Sequence, residues 1–174
     1  AIGEVWARAL FAKMHGREAQ EEQELLLGLC LDPWETLTEL CSGEAKNQCW
    51  AGRTAFQGTA ALRRDVSRDL ARLEEQGVAL VRARTVVVCS HRLNLAAQAG
   101  KSRFDLDLHA MERLILSEVE TEEAEALAIC GKVGGLMKYE RAFGPLAGRL
   151  MSVLGESRSE SAYRVPGVGE LRFK

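Results

Sequence analysis

The stretch from Thr59 to Val88, TAALRRDVSRDLARLEEQGVALVRARTVVV, constrains this chain more than any other. Leu62, Val66, Leu70 and Leu73 fall at i, i+4, i+8 and i+11. That spacing puts them on one stripe of an α-helix, which must face a core. Arg64, Arg68 and Arg72 also recur every four residues and form a separate, solvated stripe. Thr59 is placed to cap the helix, because its hydroxyl can accept an orphan backbone N–H. Gly77 stands where a left-handed C′ residue is wanted, since glycine has no Cβ to clash there. Val78-Ala79-Leu80-Val81 and Thr85-Val86-Val87-Val88 follow, rich in β-branched residues and parted by Arg82-Ala83-Arg84. The pattern predicts a β-hairpin with arginines at its turn.

With those residues in view, the run RRDVSRDLARLEEQGVALVRARTVVV resembles the second half of a winged helix-turn-helix. It is most similar to the C-terminal DNA-binding part of the catabolite-activator/Fnr family. Val66, Ser67, Arg68, Leu70, Leu73, Glu74, Gly77 and Val78 carry the match. His91 to Gly100, HRLNLAAQAG, resembles the short helix that closes that module. The resemblance implies a nucleic-acid-binding surface. Leu62, Arg63, Ser67 and Arg68 would face a groove, as the exposed start of a recognition helix does. Arg64 and Arg72 would contact phosphates, and Arg82 and Arg84 would add more from the wing. The match spans residues 59–100 only. Asn47 to Gln57 offers an imperfect version of the scaffold helix expected upstream. The N-terminal residues do not read as that family's cyclic-nucleotide barrel, so its sensory function is not carried over. The plainer alternative is an ordinary amphipathic helix packed on a hairpin.

A chain of 174 residues fits one domain or two small ones. It can bury roughly 70% of its unfolded surface, so no metal or disulfide staple is needed. Only 6% of its residues are aromatic and three are proline, which agrees with a helix-rich fold. The net charge of −2 suggests no polyanionic partner by itself, but the distribution does. Residues 1–50 hold four basic and nine acidic side chains, net −5; residues 51–103 hold ten and four, net +6. Residues 104–131 hold one and eight, net −7; residues 132–174 hold eight and four, net +4. A local basic surface binds phosphates whatever the total charge. Alternatively, the blocks neutralise one another within the fold or between subunits. Five cysteines at irregular spacings, without a CxxC pair, point to free thiols in an intracellular setting, cytoplasmic or nuclear. No apolar run approaches a membrane span, and no signal-peptide pattern is present.

Along the chain, the periodicity predicts helices over residues 2–14 and 18–31, and a third starting at Asp32-Pro33 and stopping at Ser42-Gly43. A further helix is expected from about Asp105 to Val119, with Phe104, Leu108, Met111 and Ile115 on its stripe. Thr121-Glu122-Glu123 reads as the start of another, running through Leu127, Ala128 and Cys130. Ala124, Ala128, Gly131 and Gly135 would give it a small-residue face. Pro145 reads as the start of a last helix bearing Leu146, Leu150, Val153 and Leu154. The expected architecture is therefore mainly α: a helical bundle-like domain with one short β-hairpin at a winged-helix-like centre. Its parts would be a helical N-terminal layer (1–50), the basic helix and hairpin (51–103), C-terminal helices (104–154) and a flexible or docking tail (155–174).

Chemistry-bearing constellations are sparse. Gly131-Lys132-Val133-Gly134-Gly135 lacks the strand, the GxxxxGK[ST] order and the helix of a phosphate loop. Cys89 and His91 are close together but want two more ligands for zinc. Asp105, Asp107 and His109 sit at a helix start, where the dipole already accounts for the acids. No GxSxG, HExxH or nucleotide fingerprint appears. No enzyme, metal site or cofactor is expected. The expected function is nucleic-acid binding, to DNA or RNA, as a transcription regulator or a nucleic-acid-associated assembly protein. The alternative is a helical structural subunit, viral or scaffold-like, that forms homo-oligomers through its helices and tail.

Overall fold

A computed structural model describes residues 2–39, 55–119, 126–140, 142–144 and 146–174. The chain divides into two units, Ala1–Val87 and Val88–Lys174. The boundary falls inside residues 59–100, the stretch that carries the winged-helix resemblance.

In the first unit, α1 (Ile2–His15) is flanked by α2 (Glu22–Leu29) and α4 (Ala60–Glu75), and the short α3 (Trp34–Glu39) follows Pro33. The apolar positions of α1 serve two clusters. Val5 packs with Val66 and Leu70 of α4, while Phe11 packs with Ala19, Leu25 and Leu29 on the α2 side. The expected stop of α3 at Ser42-Gly43, and most of the 47–57 scaffold segment, lie outside the described residues.

The helix read from residues 59 to 77 forms as its sequence dictates. The Thr59 hydroxyl accepts the Leu62 N–H at 3.2 Å. At the other end Gly77 takes φ 81°, and the Gly77 and Val78 amides bond back to the Glu74 and Leu73 carbonyls. These two bonds are the Schellman pair that closes a helix. The hairpin after it does not form. Residues 78–88 form no ladder of their own. Thr85 instead makes a parallel bridge to Cys30, with its N–H to the Leu29 carbonyl (2.7 Å) and its carbonyl to the Leu31 N–H (2.9 Å). Ala83 packs into the Phe11 cluster, and its N–H donates to Met14 Sδ. Pairing with the end of α2 has replaced pairing across the Arg82-Ala83-Arg84 turn.

In the second unit, α5 (Ser90–Gln98) and α6 (Arg103–Val119) precede a four-stranded mixed sheet. Its strands are β1 (Ala126–Cys130), β2 (Ser152–Glu156), β3 (Ser161–Val165) and β4 (Gly169–Phe173), in the order β1-β4-β3-β2. β4 is parallel to β1 and antiparallel to β3, which is antiparallel to β2. Alternation drives the central hairpin: Ser161, Tyr163 and Val165, then Gly169, Leu171 and Phe173, point inward. They meet Leu108 of α6 and the rings of Tyr139 and Phe143 in one cluster. The Tyr163 hydroxyl accepts the Tyr139 N–H (2.9 Å) and donates to Glu156 (2.6 Å). Gly169 sits at φ 116°, and a Cβ there would lie 2.0 Å from the Ala126 carbonyl oxygen.

The described residues thus form six α-helices and a four-stranded mixed sheet, an α/β architecture rather than a mainly α bundle with one hairpin. Three expectations fall with that. Residues 126–130, read as helix, are β1, because pairing with β4 overrides the helix preference of alanine and leucine. The last helix expected, bearing Leu146, Leu150, Val153 and Leu154, does not form: a single 3₁₀ turn, Ala147–Arg149, leads into β2. Residues 155–174, read as a tail, complete β2 and supply the two central strands.

Candidate nucleic-acid interface

Of the eight residues expected to meet nucleic acid, six lie on α4 and two on the segment that follows it. Val66 and Leu70 turn α4 onto α1, with Leu62 partly buried beside them. At roughly 100° per residue, Arg63 and Ser67 then lie on one flank, and Arg64, Arg68 and Arg72 lie roughly 160–240° away from Val66. These last three are exposed.

Arg63 and Ser67 line a groove of about 350 Å³ between α4 and α1, together with Arg8, Lys13, Glu18 and Glu74. The Ser67 hydroxyl donates to the Arg63 carbonyl (2.9 Å), and Arg63 reaches Glu18 at 3.9 Å. Across the groove Lys13 pairs with Glu74. Leu62 therefore packs against α1, while Arg63 and Ser67, both exposed, line the groove beside it.

The outer arginines have lighter ties. Arg68 pairs with Asp65 (2.8 Å) and Arg72 with Asp69 (3.8 Å), each one helical turn away and with both partners about half or more exposed. Such pairs contribute about 0.2–1 kcal/mol and yield readily to a better anion. Arg64 makes no ion pair among the described residues. Glu75 stands at the C-terminal end of the same face.

Arg82 and Arg84 flank Ala83, which packs against the Phe11 cluster. Arg84 is exposed and Arg82 half-buried. Their anchor is the Phe11 cluster, whereas α4 is held by the Val5 cluster, and the wing meant to join them is absent.

The other constellations resolve into structural ties. Asp105 and Ser102 form a reciprocal cap at the start of α6. Asp105 accepts the Ser102 N–H (2.7 Å) and hydroxyl (2.8 Å), and Ser102 Oγ accepts the Asp105 N–H (3.2 Å). Those bonds hold the Asp105 carboxyl below the usual range. Asp107 lies 3.8 Å from Arg103, and His109 lies 3.5 Å from the buried Glu112, whose carboxylate accepts the Leu146 N–H. Cys89 Sγ caps α5 by accepting the Arg92 N–H. Lys132 donates to the Ser157 and Arg158 carbonyls, both at 2.9 Å, so it tethers the β2–β3 turn. Gly134 packs against the Phe104 ring, and of the expected small-residue helix face Ala128 is in β1 while Gly131 and Gly135 lie in no helix. Among the described residues no three metal-capable side chains gather, and no helix is long and apolar enough to cross a membrane.

The structure adds one feature that periodicity could not reveal. Arg8 is nearly buried, stacks 4.1 Å over the Phe56 ring, and lies 3.7 Å from Glu4 and 3.4 Å from Glu18. Its Nε is buried with no hydrogen-bond partner among the described residues.

Comparison with known proteins gives no family: no family model, curated protein or solved structure matches this chain.

Proposed function

We propose that this chain binds the phosphate backbone of a nucleic acid through the outer face of α4, with Arg64, Arg68 and Arg72 as the contacting groups. One observation carries the reading. Three guanidiniums recur at one-turn spacing on the face opposite the Val66–Leu70 packing, and the pairs two of them make are weak, exposed links within the helix. Contacts of this kind position a polyanion without reading its sequence. Leu62 packs towards α1, and Arg63 and Ser67 line the groove beside it, so these three are not counted among the contacts. Arg84 supplies an additional contact on nucleic acids long enough to reach it.

Salt-titrated binding to duplex DNA, single-stranded DNA and RNA tests this. Each phosphate contact contributes about 0.9 to the slope of log K against log salt on duplex DNA, so three give roughly 2.7. Replacing Arg64, Arg68 and Arg72 by alanine should remove that share; an unchanged slope sinks the proposal.

A second reading, self-association as an assembly subunit, is favoured by the edge strand β1. Leu127 and Ile129 are 58% and 66% exposed there, on a strand with one side unpaired in the sheet. Exposed apolar edges invite another strand. Sedimentation of an Ile129→Lys variant against the parent would decide it, since association that persists unchanged rules the β1 edge out.

A further inference from the structure

We infer that the groove between α1 and α4 is a binding site for a small phosphate monoester, which displaces the Glu18 carboxylate from Arg8 and Arg63. The groove brings three cations, Arg8, Lys13 and Arg63, against two carboxylates, Glu18 and Glu74. Its volume of about 350 Å³ lies near the low end of ligand pockets, which run roughly 300–1,000 Å³. Its floor is apolar, from Val5 and Leu70 and the alanines of both helices, so it suits a compact organic body bearing a charged head.

Glu18 shows where that head belongs. A single oxygen, Oε2, lies 3.4 Å from Arg8 and 3.9 Å from Arg63. Two guanidiniums from different helices therefore converge on one oxyanion position, which Glu18 fills loosely from a side chain that is 62% exposed. Both distances are longer than a charge-assisted hydrogen bond of about 2.7–2.9 Å. Arg8 is fixed in place by its stacking on Phe56 and its link to Glu4, and among the described residues its buried Nε–H has no partner. A phosphate monoester carries about −1.5 to −2 charge at pH 7 and three acceptor oxygens, against one charge and two oxygens on Glu18. It can satisfy both guanidiniums at full contact while Glu18 swings into solvent. The site is separate from the outer face of α4, so the two can fail independently.

The test is a calorimetric and amide-NMR titration of the full chain with phenyl phosphate, using inorganic phosphate to separate head from body. Phenyl phosphate should bind saturably and move the amides of α1 and α4 that line the groove. Glu18→Gln, a mild change at an exposed side chain, should bind roughly three- to tenfold more tightly, because the competing carboxylate is gone. Arg63→Gln should bind several-fold more weakly, and Arg64→Ala should bind as the parent does. Affinity should fall below about pH 6, where the ester dianion takes up a proton and becomes a monoanion. Absent saturation, an unchanged affinity in Glu18→Gln, or shifts that follow Arg64 would each overturn the proposal.

Discussion

Gly169 shows how one residue decides the topology of the second unit. A side chain there would penetrate the Ala126 backbone and would have to adopt φ 116°, a region closed to L-residues. The parallel pairing of β1 with β4 depends on that missing Cβ. Gly169→Ala should therefore cost about 3 kcal/mol, combining backbone strain with overpacking. Urea unfolding followed by far-UV circular dichroism would measure it, and a loss under about 1 kcal/mol would mean that β1 can shift aside at little cost. Tyr163 is the second decisive residue. Burial, and then its bond to Glu156, push its phenol up to about 12. A raised acid favours its neutral form in the folded state, so its contribution is complete below the unfolded value near 10 and is lost as pH rises through about 12. Tyr163→Phe should lose about 1–3 kcal/mol at neutral pH, because the buried Tyr139 N–H is left without its acceptor. The gap between parent and variant should close above pH 11 in pH-scanned unfolding. A constant gap would assign the loss to packing alone.

At the scale of elements, α4 and the sheet mark the two ends of what the sequence disclosed. For α4 every signal was local and consistent: Thr59 before the first turn, the leucine-valine stripe within, Gly77 after the last. Thr59→Ala should accordingly destabilise the first unit by about 1 kcal/mol, read as a shift in chemical denaturation. No shift would mean that water replaces the Thr59 hydroxyl at no cost. Residues 78–88 carried an equally clear β signal, yet strand preference says nothing about which neighbour a strand will find. Here Thr85 pairs with the end of α2 instead of across the Arg82-Ala83-Arg84 turn. β1 failed for a different reason. Ala126, Leu127 and Ala128 prefer helix, and only the distant β4 makes them a strand. The hairpin of β3 and β4 was legible after all, in the inward alternation of Tyr163, Val165, Leu171 and Phe173 about Pro166-Gly167. The surrounding serines, glycines and charges concealed it. The candidate site divides in the same way. Exposure of Arg64, Arg68 and Arg72 followed from helical periodicity. The diversion of Arg63 and Ser67 into a groove with Arg8 needed the packing of α1, which no spacing within residues 59–88 contains.

For the molecule as a whole, the two units differ in how their cores are built, and this makes their independence testable. Among the described residues the second unit has a single cluster in which Leu108, Leu146 and the strand residues surround Tyr139, Phe143, Tyr163 and Phe173, with Tyr139 stacked on Phe173 at 3.9 Å. Aromatic contacts of that kind add about 0.5–1.5 kcal/mol each beyond the area they bury. All of its members lie within Val88–Lys174, and so do the sheet's hydrogen bonds and the Ser102–Asp105 cap. The first unit instead splits its apolar residues between the Val5 and Phe11 clusters on opposite sides of α1, so neither cluster gathers as many buried side chains. A fragment of residues 88–174 should then fold alone. It should unfold cooperatively in denaturant and show dispersed ring resonances for Tyr139 and Tyr163. The matching fragment of residues 1–87 should unfold at lower denaturant concentration, because two small cores shield less surface than one. Cooperative unfolding seen only in the intact chain, with both fragments collapsed or unfolded, would show that the boundary at Val87–Val88 separates contacts without separating stability.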